Sequence, residues 1–367
     1  MLRPLLLTLL GLSAIAAEGP EKDRLIQKNG PVIEAAEVVS ETPELVSYKL
    51  TPNAQASTKR STTILRVEYA GMRDGAFRAG IDALAKGAYE EAADRFSQVA
   101  KGEREWEKVY GAMYQGDALE LAKRFPDAAK AFGSVVTGFP KHRLNLDATY
   151  RLGMNQAWAK DPVAAKTADA LTAQSKGAIG QVAESRANAI RAAIAQTAGN
   201  TLKFDEFAKK TLFRPADEPD TWFHYSLWLA NAYRVGGRPK DAARIIDSMM
   251  PALDAEPARK AQALGIKGLA LADSDPQAAI IELLKLDVMP FGSEDQRCEA
   301  RFQAGKLMLA EAKTLAAAAD TATDERKMAF VGELRNGARF LLQAAADSLT
   351  THPAKGQAKL LLATLPN

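Results

Sequence analysis

Three times between Arg73 and Ala168 a glycine stands twelve residues ahead of an alanine: Gly80 with Ala92, Gly116 with Ala128, Gly153 with Ala165. The alanines recur 36 and 37 positions apart. A period of that length fits one pair of helices per repeat, and a single pair cannot bury its apolar face alone, so successive pairs must stack. The predicted product is a helical array with a long concave surface suited to binding another molecule. Apolar side chains make up 47% of the 367 residues but aromatic ones only 7%, which suits close-packed, alanine-rich helices.

The apolar spacing agrees. Phe77, Ile81 and Leu84 share one helix face, and Lys86-Gly87 ends that helix. Tyr89, Ala92, Ala93, Phe96 and Val99 line its partner. A second pair carries Tyr110, Met113, Tyr114 and Leu121, then Ala128, Ala131, Phe132 and Val135, with Pro126 in the first turn, where its missing N–H costs nothing. A third runs from Leu146 through Tyr150, Gly153 and Trp158, turns at Lys160-Asp161-Pro162 and continues with Ala165 and Ala168. The pattern then blurs, with Phe207 standing where Ala is expected and a break at Arg214 to Pro219. It returns around Trp222 to Ala242, around Gly268 and Ala278, and around Phe302 to Gly305. About seven hairpins are expected, with Lys359 to Leu365 as a short capping helix.

These residues resemble tetratricopeptide repeats. Gly80, Gly116 and Gly153 match the small position of the motif's first helix; Ala92, Ala128 and Ala165 match that of its second. Phe96 and Phe132 match its aromatic and Pro140 its terminal proline. The stretch from Phe132 to Pro140, with Tyr150 to Gly153, resembles repeats of periplasmic cell-envelope proteins. The resemblance implies a mainly α fold, a right-handed α-α superhelical solenoid over 73–365, which the break near 214–220 could divide into two sub-arrays. In such repeats small residues let the two helices of a hairpin cross closely, and the aromatic fills the gap to the next hairpin.

Residues 22–70 read differently. Glu37 to Ser40, Leu45 to Leu50 and Thr62 to Tyr69 are rich in Val, Ile, Thr and Tyr, separated by a polar turn at Glu41 to Glu44 and a polar loop from Thr51 to Arg60. Asn29-Gly30 suggests a hairpin, but Pro31 argues for a looser connection. Four or five short strands suggest a small antiparallel barrel or curled sheet. The runs Leu25 to Gly30, Val32-Ile33, Val38-Val39, Val46 to Lys49 and Ile64 to Tyr69 resemble small SH3-like or Sm-like β modules of bacterial envelope proteins. Such a module implies a fold more than a role.

Residues 1–17 read as a signal peptide: Arg3, an apolar run from Leu5 to Ala16, and small residues at Ala14 and Ala16. An uncleaved anchor is the other reading, although the run is short for a bilayer, which needs ~20 residues. With the signal removed no transmembrane segment is expected, and the chain is read as periplasmic or secreted. The lone Cys298 allows no internal disulfide and is read as a buried structural thiol. A net charge of +3 without Lys/Arg-rich runs argues against nucleic acid as partner.

Motifs for chemistry are missing from the sequence. His142, His224 and His352 have no second His or Cys at a metal-ligand spacing, and His142 and His352, near loop prolines, are read as solvated. Gly133 to Gly138 has the glycine spacing of a phosphate loop, but Phe139 occupies the lysine position. No catalytic residue, cofactor or metal is expected. First-helix positions of the repeat family face its concave groove; carried over, these are Tyr110, Tyr114, Asp117, Arg151, Met154, Trp158, His224, Trp228, Asn231 and Arg234. Tyr, Trp and Arg dominate binding hot spots. The opposing reading has several of them, Met154 and Trp158 above all, filling the core. The expected function is a non-enzymatic scaffold or adaptor of the bacterial cell envelope that binds proteins or peptides; the alternative is a peptidoglycan-binding protein.

Overall fold

The computed structural model describes residues 22–174, 180–289, 292–318, 324–350 and 352–365; the signal-like stretch lies outside them. The chain divides into two compact units, one ending at Phe213 and the next beginning at Arg214. None of the described helices is long and apolar enough to cross a membrane.

The described residues of the first unit begin with six strands: β1 (Asp23–Gln27), β2 (Ile33–Ala35), β3 (Glu37–Glu41), β4 (Leu45–Lys49), β5 (Ser57–Arg60) and β6 (Ile64–Glu68). They form two three-stranded antiparallel sheets, β2-β1-β6 and β3-β4-β5, with no ladder between them among the described residues. Of the expected barrel or curled sheet, the barrel is therefore not closed. β2 is only three residues long, and the chain passes from one sheet to the other at Ala36, whose N–H bonds the Lys49 carbonyl at 2.8 Å. The Asp23 carboxylate spans the divergence, accepting from the N–H groups of Val38 at 2.8 Å and Ala70 at 2.9 Å. β5 lies inside the expected polar loop. It is an edge strand, Ser-Thr-Lys-Arg, and an edge tolerates the charges that hid it from the sequence pattern. Between β1 and β2 the connection is loose, with Gly30 at φ +127°.

Eight α-helices follow among the described residues of the first unit: α1 (Gly75–Ala85), α2 (Tyr89–Val99), α3 (Glu105–Leu121), α4 (Phe125–Gly138), α5 (Asn145–Trp158), α6 (Val163–Ala173), α7 (Gly180–Thr197) and α8 (Thr201–Lys210). Each packs on the next, and α5 also packs on α7. The second unit holds α9 (Pro219–Val235), α10 (Pro239–Met249), α11 (Pro257–Leu271), α12 (Pro276–Val288), α13 (Glu294–Ala317), α14 (Glu325–Ala346) and α15 (Pro353–Ala363), again packed in succession. Among the described residues prolines stand in the first two positions of six α-helices, among them α4, α10 and α12, with no N–H bond to lose.

Crossings within hairpins are set by glycine. A β carbon on Gly80 would stand 2.7 Å from the Phe96 ring, and one on Gly116 would stand 2.6 Å from Phe132. Gly268 opposes Leu283 in the same way at 2.6 Å. The aromatic thus fills the space inside its own hairpin. Phe96 also reaches the next one, meeting the Tyr114 ring at 5.2 Å. In the third hairpin Gly153 faces Thr167 and, more closely, Ile190 of α7.

The alanine register is corrected in that hairpin. Ala92 and Ala128 are fully buried, but Ala165 is exposed and Ala164 is buried instead. Pro162 precedes a tight first turn in which the Ala164 N–H bonds the Asp161 carbonyl, three residues back. Ala92 and Ala128 bond carbonyls four residues back, so the inward face of α6 arrives one residue early. Ala278 is likewise half-buried while Ala279 packs inside, bonded to Asp275 as Ala92 is to Ala88. In α8 the buried small residue is Ala208, next to Phe207, which stands where the repeat spacing expects an alanine.

The turns repeat more regularly than the helices. Gly87, Lys123, Lys160 and Gly199 in the first unit and Gly237 in the second all have left-handed φ, between 57° and 76°. In each case that residue's N–H bonds the carbonyl three residues back, and the following N–H bonds the carbonyl five back. This double closure satisfies carbonyls left open at a helix C-terminus and reverses the chain.

Candidate functional site

Three groups of polar side chains stand out, two in the first unit and one in the second. The most enclosed centres on Glu41. A register shift between Val38 and Ser40 in β3 turns the strand face over, so that Val38 and then Glu41 point inward. Glu41, expected in a polar turn, is therefore the buried last residue of β3, 3% exposed. Tyr69 Oη donates to its carboxylate at 2.8 Å, and Tyr110 Oη lies 2.9 and 3.1 Å from the two oxygens. Arg143 Nε donates to the other side, and the Arg143 N–H bonds the Glu41 carbonyl at 3.2 Å. His142 Nε2 lies 3.6 Å away.

Burial alone would raise the Glu41 carboxyl; His142 beside it and the charge of Arg143 outweigh that and bring it to about 2. Burial and the Glu41 charge push the phenols of Tyr69 and Tyr110 far up. The expectation of a solvated His142 is corrected. The ring is buried, and its Nδ1 accepts from the Leu144 N–H at 3.1 Å, which directs Nε2 at Glu41. His352, half-buried, caps α15 by accepting from Ala354 N–H at 3.3 Å.

The second group runs along α3, α5 and α7. Arg151 of α5 bonds Asp117 of α3 and lies 3.3 Å from Glu120; Asn155 Nδ2 donates to Glu120 at 2.7 Å. Arg186 of α7 approaches Asp147 at 3.6 Å, and its guanidinium lies over the Tyr150 ring at 5.7 Å. Burial pushes the Asp117 carboxyl up to about 7, against the pull of Arg151 and with Glu120 and Asp147 adding repulsion.

Of the candidate groove residues in this unit, Asp117 and Arg151 are brought together. Tyr110 is occupied by Glu41. Tyr114 packs between Phe77 and Phe96 at 4.9 and 5.2 Å. Trp158, half-buried, lies 5.4 Å from the Phe125 ring, and Met154 is buried in the core.

The third group lies on α9. Trp228 is buried against Tyr225, ring centres 5.4 Å apart, and His224 lies at the same distance from Phe223. Asn231, also buried, accepts from Arg234 Nη2 at 2.9 Å. Burial lowers the Arg234 guanidinium, a pull countered by Asp273 and Glu299.

The sequence pattern assigns no site role to Glu41, His142 or Arg143. The dense Val and Tyr spacing marks the strands, but nothing in it signals the bulge that turns Glu41 inward. Among the described residues no group of three or more His, Cys, Asp or Glu side chains is placed to hold a metal ion. No protein-family model matches this chain, and no curated protein matches it.

Proposed function

We propose that this chain is a non-enzymatic scaffold of the bacterial cell envelope. In this reading it is a tetratricopeptide-like, right-handed helical array, exported to the periplasm or beyond, that binds a partner protein or peptide along its first helices. The observation that supports the reading is the charged row on α3, α5 and α7. Asp117 and Arg151 join the first helices of successive hairpins, and Asp147 and Arg186 continue the row. These side chains are held by one another across hairpins, and Asp147 keeps 35% of its side chain exposed at the edge of the row, so little entropy is lost when a partner docks there.

The test places a photo-crosslinking residue at single positions in the native cell. Asp147 on α5 and Arg234 on α9 sample first helices. Lys130 on α4 and Arg244 on α10, each with 80% of the side chain exposed, sample second helices. A defined protein adduct is expected at 147 and 234 and not at 130 or 244. Adducts confined to 130 and 244, or none at any position, would overturn the proposal.

A further inference from the structure

Glu41 belongs to β3, but its partners lie on two different hairpins. Tyr110 sits on α3, the first helix of the second hairpin. His142 and Arg143 sit in the turn that leads into α5, the first helix of the third. The β module holds α3 at a further point, where the Tyr69 ring stacks on Trp106 with centres 5.2 Å apart and planes 12° off parallel. A third element thus bonds to two neighbouring hairpins at once.

We propose that the β module is a brace for the helical array, fixing α3 relative to the turn before α5, and that Glu41 is the residue through which it holds both. Hairpins in a stacked array contact only their neighbours, so small changes of angle accumulate along it. A body bonded to two successive hairpins removes that freedom locally. A buried carboxylate suits the task because its satisfaction depends on position: a slipped module would leave the charge without its donors, whereas an apolar contact would tolerate the slip. Arg143 completes the tie twice, through its guanidinium and through its backbone N–H to the Glu41 carbonyl.

Hydrogen exchange on the full chain, read by mass spectrometry, tests this through reciprocity. Arg143→Gln leaves every strand residue intact, yet should speed exchange in β3 and β4 on the order of tenfold, the effect of losing one charge-assisted hydrogen bond. Glu41→Gln should speed exchange by a similar factor across 139–147 as well as in β3. Both variants should leave α9 to α15 unchanged, and Glu44→Gln, in the exposed β3–β4 turn, should change nothing. If Arg143→Gln alters only its own turn, with β3 and β4 exchanging as in the parent, the brace is wrong. That outcome involves no partner, so it leaves the scaffold reading to its own test.

Discussion

The β carbon that Gly116 lacks would stand 2.6 Å from the ring of Phe132, which is itself fully buried. Neither side of this contact has room to move, so the glycine sets how closely α3 and α4 cross. Gly116→Ala is expected to destabilise the first unit by about 2 kcal/mol, the usual scale of overpacking. Gly133, on α4 in the same hairpin, has only Leu152 nearby, and a β carbon there would meet it at 3.9 Å. Gly133→Ala should therefore stabilise by ~0.5–1 kcal/mol through helix propensity. Urea unfolding of the two variants separates the effects; equal shifts of one sign would refute the crossing argument.

The Glu41 network predicts an acid dependence of known sign. Its carboxyl titrates at about 2 in the fold against an ordinary value of 4.5. The unfolded chain takes up the proton first as pH falls. The stabilisation is therefore complete above about pH 5 and lost progressively down to about pH 2, and the shift corresponds to about 3 kcal/mol. Other carboxylates titrate in the same window, so the informative quantity is the difference between the parent and Glu41→Gln. That gap should be widest near neutral pH and close as the solution is acidified. A gap that stays constant with pH would mean the carboxylate is not held charged by His142 and Arg143.

The third repeat offers a test of register. Ala164 is buried and Ala165 exposed, the reverse of what a strict twelve-residue spacing from Gly153 predicts. Ala164→Leu should cost ~1–3 kcal/mol or more, while Ala165→Leu should stay within about 0.5 kcal/mol of the parent. Thermal melts of both decide it; the opposite order would restore the sequence register.

Those residues mark what the sequence could and could not convey. Gly80, Gly116 and Gly268 were legible because a helix crossing demands a missing side chain at a recurring position. Ala165 was misread because periodicity carries no sign of a tight first turn after Pro162. Glu41 was misread because alternation fails at a bulge, and its donors at 110 and 143 are too distant in the chain for any local pattern to pair them. Asp117 and Arg151 came from the repeat resemblance, which locates helix faces but not ion pairs. β5 was hidden by an edge strand's tolerance of Lys and Arg.

The repeated turns supply the last expectation. Lys123 and Lys160 hold φ of 62° and 57°, at positions where three other hairpin turns carry Gly87, Gly199 and Gly237. A β carbon in left-handed backbone costs roughly 1–2 kcal/mol, which glycine escapes. Part of that gain is returned because glycine also enlarges the unfolded ensemble, by about 0.4–1 kcal/mol. Both lysine side chains are exposed, so no packing is lost on their removal. Lys123→Gly and Lys160→Gly should therefore each raise stability by ~0.5–1 kcal/mol, whereas Gly87→Ala should lower it by about 1 kcal/mol. Urea midpoints at constant slope measure both. A loss on either lysine replacement would mean that these turns are not closed by left-handed backbone, and with it the equivalence of the hairpins would fall.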